Sequence, residues 1–372
     1  MAGRPAAEGR SIPFEADSVR LSAGYGDVAA FHGGRYPAGA VLGFKTLTLA
    51  RELLFPRGGS FVRERCAIET PFPGGGFRDA AEMVLRSVSR DRYRLDLSLP
   101  VPVGTVPAPV EGYFFFRFLQ DGGCAEFSLR PGLVPEEFYA ATEDLHHGRG
   151  DPEAAEARAL ELRRAIASVI RSLDPSELFV VHEARAAEPL PEGNEPPPLE
   201  EAGSLGLIDH EGYDVTVESL RRYHGNSALC GLCLVWSLVR QLGRRAGVEA
   251  FERRSVEVTA GARGSGILDG LEYLFRGFGE GRASFDFGWA EGLGAPRAPM
   301  GSGAFAFRFV LPGREPMTFV LKERYVPHEY FALCERRAGD PGAFGEEPER
   351  RRLQLEFARL ALSEPELFEV VP

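Results

Sequence analysis

The sequence has few lysines, few cysteines and no long apolar run. Lys45 and Lys322 are the only lysines among its 372 residues, so almost every basic residue is arginine. The five cysteines are scattered along the chain, which excludes a secreted disulfide scaffold. The longest apolar run, residues 229–239, is about half as long as a membrane span, which needs roughly twenty residues. These absences argue against secreted and membrane-spanning proteins.

Positive charge is also in deficit. Lys and Arg number 43 against 54 Asp and Glu, which gives a net charge of −11 and argues against an extended nucleic-acid interface. A hydrophobic content of 44% with 26% charged residues is typical of a folded globular chain. Residues 1–14 lack the apolar core of a signal peptide. We therefore expect a cytoplasmic protein with no nucleic-acid or membrane partner.

What the sequence does contain is a long internal repeat. Six short blocks recur in the same order at an offset of about 190 residues. The paired blocks begin at Phe31 and Tyr223, Asp79 and Asp269, Phe114 and Phe305, Val134 and Val326, Gly150 and Gly339, and Glu177 and Glu366. A unit of this length is a domain and not a solenoid repeat. The pattern predicts an internal duplication.

The repeat sets the predicted domain organisation. A flexible N-terminus spans residues 1–13, and the first domain spans residues 14–182. A linker rich in Pro, Glu and Ala covers residues 183–203, and the second domain covers residues 204–372. The Pro-rich, acidic composition predicts an extended and solvated linker. We expect the two copies to form an intramolecular pseudo-dimer about a pseudo-two-fold axis.

Each copy has the sequence pattern of an α+β domain. Helices are predicted at residues 38–54 and 229–242, and β-rich segments end in Glu69 and Glu257. A glycine-rich loop follows each β segment, at residues 74–76 and 261–266, and a short helix begins at Asp79 or Asp269. Aspartate is a favourable N-cap at such a position.

Further strands and a closing helix complete the predicted copy. The Phe-rich runs 114–118 and 305–309 predict buried central strands, with partners at residues 127–129 and 319–321. Tyr93, Leu95, Leu97 and Leu99 alternate with polar residues, which predicts a strand. The last helix of the first copy carries an apolar stripe at helical spacing, formed by Leu162, Ile166, Val169, Ile170 and Leu173.

The blocks that begin at Phe31 and Tyr223 each contain a His-Gly pair, at His32 and His224. These blocks resemble the FmdE family of formylmethanofuran dehydrogenase proteins. That family has a His-Gly-His-x-Cys-Pro-Gly pattern running into a helix, then Cys-x-x-Asp-Ala-Ile-Gln, then Thr-Gly-Cys-Thr-x-Gly-Lys and an aromatic strand. Residues 31–37 and 223–228 look like its first block, and residues 79–82 and 269–272 look like its second. Residues 277–282 look like the third block. The resemblance covers most of both copies.

The resemblance implies a metal protein, and the chain departs from it at the ligand positions. The first motif histidine is present as His32 and His224. The other family ligands are replaced in both copies, by Gly34 and Asn226, Tyr36 and Ala228, and Gly76 and Gly266. Zinc or another divalent ion on His32 and His224 is therefore what the resemblance implies for a cofactor.

Several residues are candidates for chemistry. His32 and His224 are predicted as metal ligands or proton carriers, or else as residues that cap backbone groups at a helix entry. Glu69 and Glu257 are candidate general bases, or else exposed carboxylates at strand ends. The glycine-rich loops and helix starts predict the binding of a small anion. The candidates for that binding are Gly74, Gly76, Asp79, Asn226, Gly266 and Asp269.

Three functions remain open from the sequence. The first is an enzyme or metal-handling protein that binds a divalent metal or a small anionic ligand between the helix entry and the glycine-rich loop. The second is a degenerate, non-catalytic tandem that binds a small molecule or a protein. The third is a thiol function at Cys230 and Cys233, whose alternative is two buried thiols in an apolar helix.

Overall fold

Helices and strands alternate along the whole of the computed structural model, which describes residues 10–188, 193–199, 202–339 and 347–371. The α+β class predicted from the sequence is confirmed. The chain forms two compact units, Met1–Pro196 and Pro197–Pro372. Within these described ranges, every helix is too short or too polar to cross a membrane.

The structure refines the predicted domain boundaries. The division between the units falls inside the predicted linker. A strand begins at Ser11, inside the segment predicted to be flexible, because residues 11–13 pair with a neighbouring strand. Another strand continues to Arg185, so the linker prediction begins too early. Parts of the predicted N-terminus and linker, residues 1–9, 189–192 and 200–201, lie outside the described residues. The residues that follow Gly339 in its repeat block also lie outside them.

The first unit contains two sheets and six helices within its described residues. The elements are β1 (Ser11–Ala16), β2 (Val19–Gly24), α1 (Tyr25–His32), α2 (Pro37–Leu54), β3 (Phe61–Val62), β4 (Ala67–Thr70), α3 (Gly75–Leu85), β5 (Tyr93–Leu95), β6 (Phe115–Gln120), β7 (Gly123–Leu129), α4 (Glu136–His146), α5 (Pro152–Ser172), α6 (Pro175–Leu178) and β8 (Phe179–Arg185). The strand orders are β2-β1-β3 and β5-β4-β6-β7-β8. The pairs β1–β3 and β4–β5 are parallel, and the other pairs are antiparallel.

The second unit repeats this order of strands. Its elements are β9 (Ser204–Ile208), β10 (Gly212–Thr216), α7 (Val217–His224), α8 (Leu229–Ala246), β11 (Ala250–Glu252), β12 (Glu257–Ala262), α9 (Ser265–Phe275), β13 (Ala283–Phe285), α10 (Phe287–Gly292), β14 (Gly303–Val310), β15 (Met317–Leu321), α11 (His328–Gly339), α12 (Glu347–Ser363) and β16 (Phe368–Val371). The strand orders are β10-β9-β11 and β13-β12-β14-β15-β16. Both sheets thus have matching strand orders in the two units. Common ancestry and the pseudo-dimer stay predictions.

The buried strands explain where the core of each unit lies. The Phe-rich runs lie in β6 and β14, each of which is the middle strand of its five-stranded sheet. The predicted strand from Tyr93 to Leu99 is shorter than its alternation suggests, because β5 is an edge strand that pairs with β4 alone. Leu95 and Leu97 are consequently exposed. Val169 of the predicted α5 stripe is also exposed.

A fully buried arginine in each unit anchors the helix that follows the glycine-rich segment. Arg63 donates from Nε to the carbonyl of Val84 at 2.8 Å, and from Nη2 to that of Met83 at 3.0 Å. Arg253 makes the equivalent bonds to the carbonyls that end α9. Burial lowers the pKa of Arg63 to about 9 and that of Arg253 to about 10. Each guanidinium thus satisfies carbonyls that the helix leaves unpaired, and it fixes the C-terminal end of that helix.

Candidate ligand-binding site

His32 is held by hydrogen bonds at both ring nitrogens. It is the last residue of α1, and the chain turns directly after it through Gly33, whose φ is 79°. Nδ1 lies 2.8 Å from Oδ2 of Asp79, and Nε2 accepts the backbone N–H of Tyr36 at 2.7 Å. Because Nε2 accepts a hydrogen bond, the neutral ring carries its hydrogen on Nδ1. No lone pair of His32 is left for a metal ion in this arrangement.

His224 forms the matching pair in the second unit with one difference. Its Nδ1 lies 2.6 Å from Oδ2 of Asp269, and the residue is 2% exposed. Its buried Nε2 has no hydrogen-bond partner among the described residues. Both histidines therefore lie at the end of a helix, whereas the sequence predicted them at a helix entry. The recurring His–Asp pair ties α1 to α3 and α7 to α9.

Asp79 and Asp269 are not helix caps. The helices begin earlier than predicted, and their N-caps are Gly74 and Gly264. The two aspartates therefore lie in the second helical turn, where they face the histidines. Their role is to orient a ring and hold its tautomer, in the manner of a carboxylate beside a histidine.

The predicted glycine-rich loops are partly helical, and two of their glycines serve helix packing. A Cβ on Gly76 would lie 2.4 Å from the backbone nitrogen of Ala40, and one on Gly266 would lie 2.3 Å from the carbonyl oxygen of Ala228. Glycine is required because two helices cross at this point. A Cβ on Gly74 would meet the Phe72 ring at 2.3 Å. Gly75 has more space, since its nearest neighbour would be the Tyr36 ring at 3.5 Å.

Glu69 and Glu257 are not equivalent, which corrects the pairing inferred from the sequence. Glu69 lies opposite Arg117 in the sheet and accepts a hydrogen bond from its Nη1 at 2.9 Å. In the second unit the matching position opposite Arg308 is Thr259. Glu257 begins β12 instead of ending a strand. The described partner of Glu69 gives it the role of an ion-paired residue within the sheet.

Asn226 is used to fix a buried arginine. Its Oδ1 accepts a hydrogen bond from Nη2 of Arg221 at 2.8 Å. Arg221 is 2% exposed and also donates to the carbonyl of Pro197. Burial lowers the pKa of Arg221. Asn226 therefore supports the end of α7, and its role in ligand binding stays a prediction.

A cavity of about 580 Å³ opens in the first unit beside the helix crossing. Its walls come from the N-terminal ends of α2 and α3, from α4, from α5 and from the segments that flank β4 and β6. Most of the lining side chains are aromatic or aliphatic. Five of them carry aromatic rings, namely the phenyl or phenol rings of Tyr36, Phe72, Phe114 and Phe138 and the imidazole of His146. Its volume is within the range of small-molecule sites, roughly 300–1,000 Å³.

Arg163 brings a buried positive charge to this cavity. It lies on α5, is 7% exposed, and its guanidinium stands over the Tyr36 ring at 4.9 Å. Nη1 donates to Glu156 at 3.3 Å, and the Glu156 side chain is about half exposed. The apolar stripe of α5 did not reveal Arg163. The sequence did offer one signal: Arg163 lies between Leu162 and Ile166, which are both buried members of the stripe.

In the described part of the second unit, the matching helices carry different side chains at these positions. Gln354 occupies the position of Arg163 at the repeat offset and donates to the carbonyl of Ser227 at 2.8 Å. On α11, Tyr330, Leu333 and Cys334 are all buried. By contrast, no residue is buried on α4 of the first unit, a helix that the structure describes from end to end. The helix α4, which lines the cavity, thus buries none of its side chains fully.

Cys230 and Cys233 are buried thiols of α8. Cys230 lies 3.5 Å from the hydroxyl of Tyr330. Burial raises the pKa of Cys230 to about 11 and raises that of Cys233 further. Reactive cysteines have a lowered pKa and access to solvent. The geometry therefore favours the structural interpretation of this Cys-x-x-Cys over a thiol function.

The described residues do not provide a ligand set around either histidine. Within the described ranges, the one group of three close His, Cys, Asp or Glu side chains is Cys124, Glu126 and Glu183. Glu126 is already bound by Nε of Arg117 at 2.6 Å. A structural zinc site needs four ligands and a catalytic one needs three. The donors near His32 and His224 thus do not fit a resident metal ion.

No protein-family model matches this chain, and no curated protein matches it. The likeness to the FmdE family stays a prediction that rests on the motif residues named above.

Proposed function

We propose that the first unit binds a small anion with an apolar body in the cavity between α2, α3, α4 and α5. The observation that carries this proposal is Arg163, a buried guanidinium in a cavity lined mostly by apolar side chains. A buried charge is costly unless it is paired. Glu156 pairs one nitrogen from a half-exposed position, and a ligand anion would pair the edge that faces the cavity.

Two helix N-termini at the same cavity support an anionic ligand. Tyr36 and Gly74 are the N-caps of α2 and α3, and neither makes a side-chain capping bond. Gly39, Gly75 and Gly76, in the first turns of these helices, line the cavity. Helix N-termini favour negative charge through their N–H groups and dipole. The crossing at Gly76 brings both N-termini to one place.

The proposal keeps the location that the family resemblance implies and changes its chemistry. We propose a tandem of FmdE-like domains in which the first binds a ligand and the second has a packed interior. The resemblance implies His32 as a metal ligand, but both of its ring nitrogens are engaged. We accordingly propose a binding module and assign it no reaction. This is the second of the functions that the sequence left open.

Calorimetric titration of the whole chain with decanoate and with 2-naphthoate tests the proposal. We expect one site per chain for at least one of these acids. Arg163→Gln, which installs the residue of the second unit, should weaken binding at least tenfold, because a charge-assisted hydrogen bond contributes about 1.5–3 kcal/mol. Arg164→Gln is the matched control, since Arg164 is an exposed neighbour on α5. Failure of both acids to bind, or equal effects of the two variants, would overturn the proposal.

A further inference from the structure

We infer that the ligand of the first unit is a flat aromatic monocarboxylate. This inference rests on the proposed function and names the ligand class for the same cavity. It is carried by the rings that line the cavity and by the orientation of Arg163 against one of them. The structure places four phenyl or phenol rings on the cavity wall, and they come from four separate segments of the unit.

The rings form a wall suited to stacking. Phe72 and Phe114 lie with their centroids 4.6 Å apart at an interplanar angle of 34°. Tyr36 is the N-cap of α2, and Phe138 lies on α4. Aromatic pairs with centroids about 4.5–7 Å apart gain energy beyond the apolar area they bury. A planar aromatic ligand would gain this energy, whereas a saturated ligand of the same size would gain area alone.

Two of these rings are specific to the unit that has the cavity. At the repeat offset, Tyr36 corresponds to Ala228, which is likewise the N-cap of its helix, and Phe72 corresponds to Ala262. In the second unit these alanines occur together with Tyr330 and Cys334, which are both buried. In the first unit, larger residues at both positions border open space instead of closing it. We infer that these rings serve a ligand.

Arg163 favours one negative charge in the plane of that ligand. The Cζ atom of Arg163 lies over the Tyr36 ring, and a guanidinium carries all of its N–H donors along its edge. An edge of this kind matches a carboxylate with two parallel hydrogen bonds. Glu156 offsets part of its charge, and Glu111 and His146 also line the cavity. A dianion such as a phosphate monoester would leave excess negative charge in an apolar site.

Matched probes test this class by calorimetry on the full chain. The probes are 2-naphthoate, its saturated analogue decahydro-2-naphthoate, the neutral 2-naphthamide and the dianionic 2-naphthyl phosphate. We expect 2-naphthoate to bind on the order of tenfold more tightly than the saturated acid, as two ring contacts would give. The amide and the phosphate should each bind at least tenfold more weakly than 2-naphthoate, because one lacks and the other exceeds the charge of a carboxylate.

Ring-removing variants identify the wall that gives the preference. Tyr36→Leu and, separately, Phe72→Leu should each reduce the ratio of the affinity for 2-naphthoate to the affinity for the saturated acid. Tyr113→Leu is the control, since Tyr113 is a partly exposed ring outside the cavity lining. Thermal unfolding of each variant identifies any that does not fold. If one ring variant does not fold, the other is sufficient for the test.

The outcomes separate this inference from the proposed function. Equal binding of the two acids would overturn the aromatic assignment and leave the proposed function standing. Tighter binding of 2-naphthyl phosphate would overturn the assignment of a single charge. If neither 2-naphthoate nor its saturated analogue binds, this inference fails, and the proposed function fails with it only where decanoate does not bind either.

Discussion

Single residues decide which chemistry each unit can perform. His32 and His224 share the same kind of aspartate partner, but the backbone N–H of Tyr36 takes the second nitrogen of His32. In the first unit this leaves Arg163 as the buried charge that borders the cavity. The second unit has Gln354 at that position. The two units thus differ in this charge, as well as in the rings that border the cavity.

Replacing Arg63 tests the buried arginine that ends α3. Arg63→Met removes the donors for the carbonyls of Met83 and Val84, which stay buried without partners. We expect the free energy of unfolding to fall by about 3 kcal/mol in urea titrations. Arg65→Met is the control, since the Arg65 side chain is half exposed, and it should change stability by less than about 0.5 kcal/mol. Equal losses in both variants would contradict the capping role.

The cysteines should react only when the protein unfolds. All five are buried thiols, and burial raises the pKa of Cys230 to about 11. At pH 8 about one thousandth of Cys230 is thiolate, and this fraction rises about tenfold for each pH unit up to that pKa. We expect slow labelling by Ellman's reagent at pH 8 and labelling of all the cysteines at once in urea. Rapid native labelling that Cys230→Ser removes would revive the thiol function.

Crossings between helices explain the glycines that the sequence assigned to loops. Gly76 lies where α3 passes the first turn of α2, and Gly266 lies where α9 passes α8. The close approach brings the helix N-termini together, so the same glycines that allow packing also shape the cavity. The anion-binding role predicted for Gly76 stays a prediction.

Neighbouring glycines on α3 provide a sharp test of this crossing. Gly76→Ala would place its Cβ 2.4 Å from a backbone nitrogen, and we expect it to lower the free energy of unfolding by about 1–3 kcal/mol. Gly75→Ala has room for its Cβ and should cost less than about 0.5 kcal/mol. Urea titrations compare the two variants. A neutral Gly76→Ala would show that the helices do not cross this closely.

Helix α4 should respond to the ligand more than α11 does. Every residue of α4 is at least partly exposed, whereas α11 buries Tyr330, Leu333 and Cys334. Phe138 and Thr142 of α4 line the cavity, so a ligand would give this helix contacts that it lacks. We expect saturating 2-naphthoate to slow amide exchange in Glu136–His146 and to leave His328–Gly339 unchanged. Equal protection of both helices would place the ligand elsewhere.

For the whole molecule, periodicity predicts elements better than it predicts contacts. The helix predicted at residues 38–54 begins one residue earlier in the structure, and both Phe-rich strands lie in the middle of their sheets. The strand at Tyr93 is wrong beyond Leu95, because alternation alone does not show that a strand lies at an edge. The pairing of Glu257 with Glu69 is also wrong. The residue opposite Arg308 is Thr259, two positions after Glu257, whereas Glu69 lies opposite Arg117.

The sequence predicts which segments meet beside the cavity but not which side chains line it. The helix entry and the glycine-rich segment do meet, as the resemblance implies, and His32 does lie next to Asp79. Arg163 could not be found in this way, because it is separated from Tyr36 by more than a hundred residues and its cavity depends on how α5 packs. The neutral tautomer of His32 likewise depends on a backbone N–H whose position only the fold sets.

The most direct test of the cavity as a ligand site is a crystal structure with 6-bromo-2-naphthoate, read from the anomalous signal of bromine. We predict one bromine peak per chain in the cavity of the first unit, with the carboxylate within hydrogen-bond distance of Arg163. A peak confined to the second unit or to the outer surface, in crystals grown at a saturating concentration of the acid, would contradict the account.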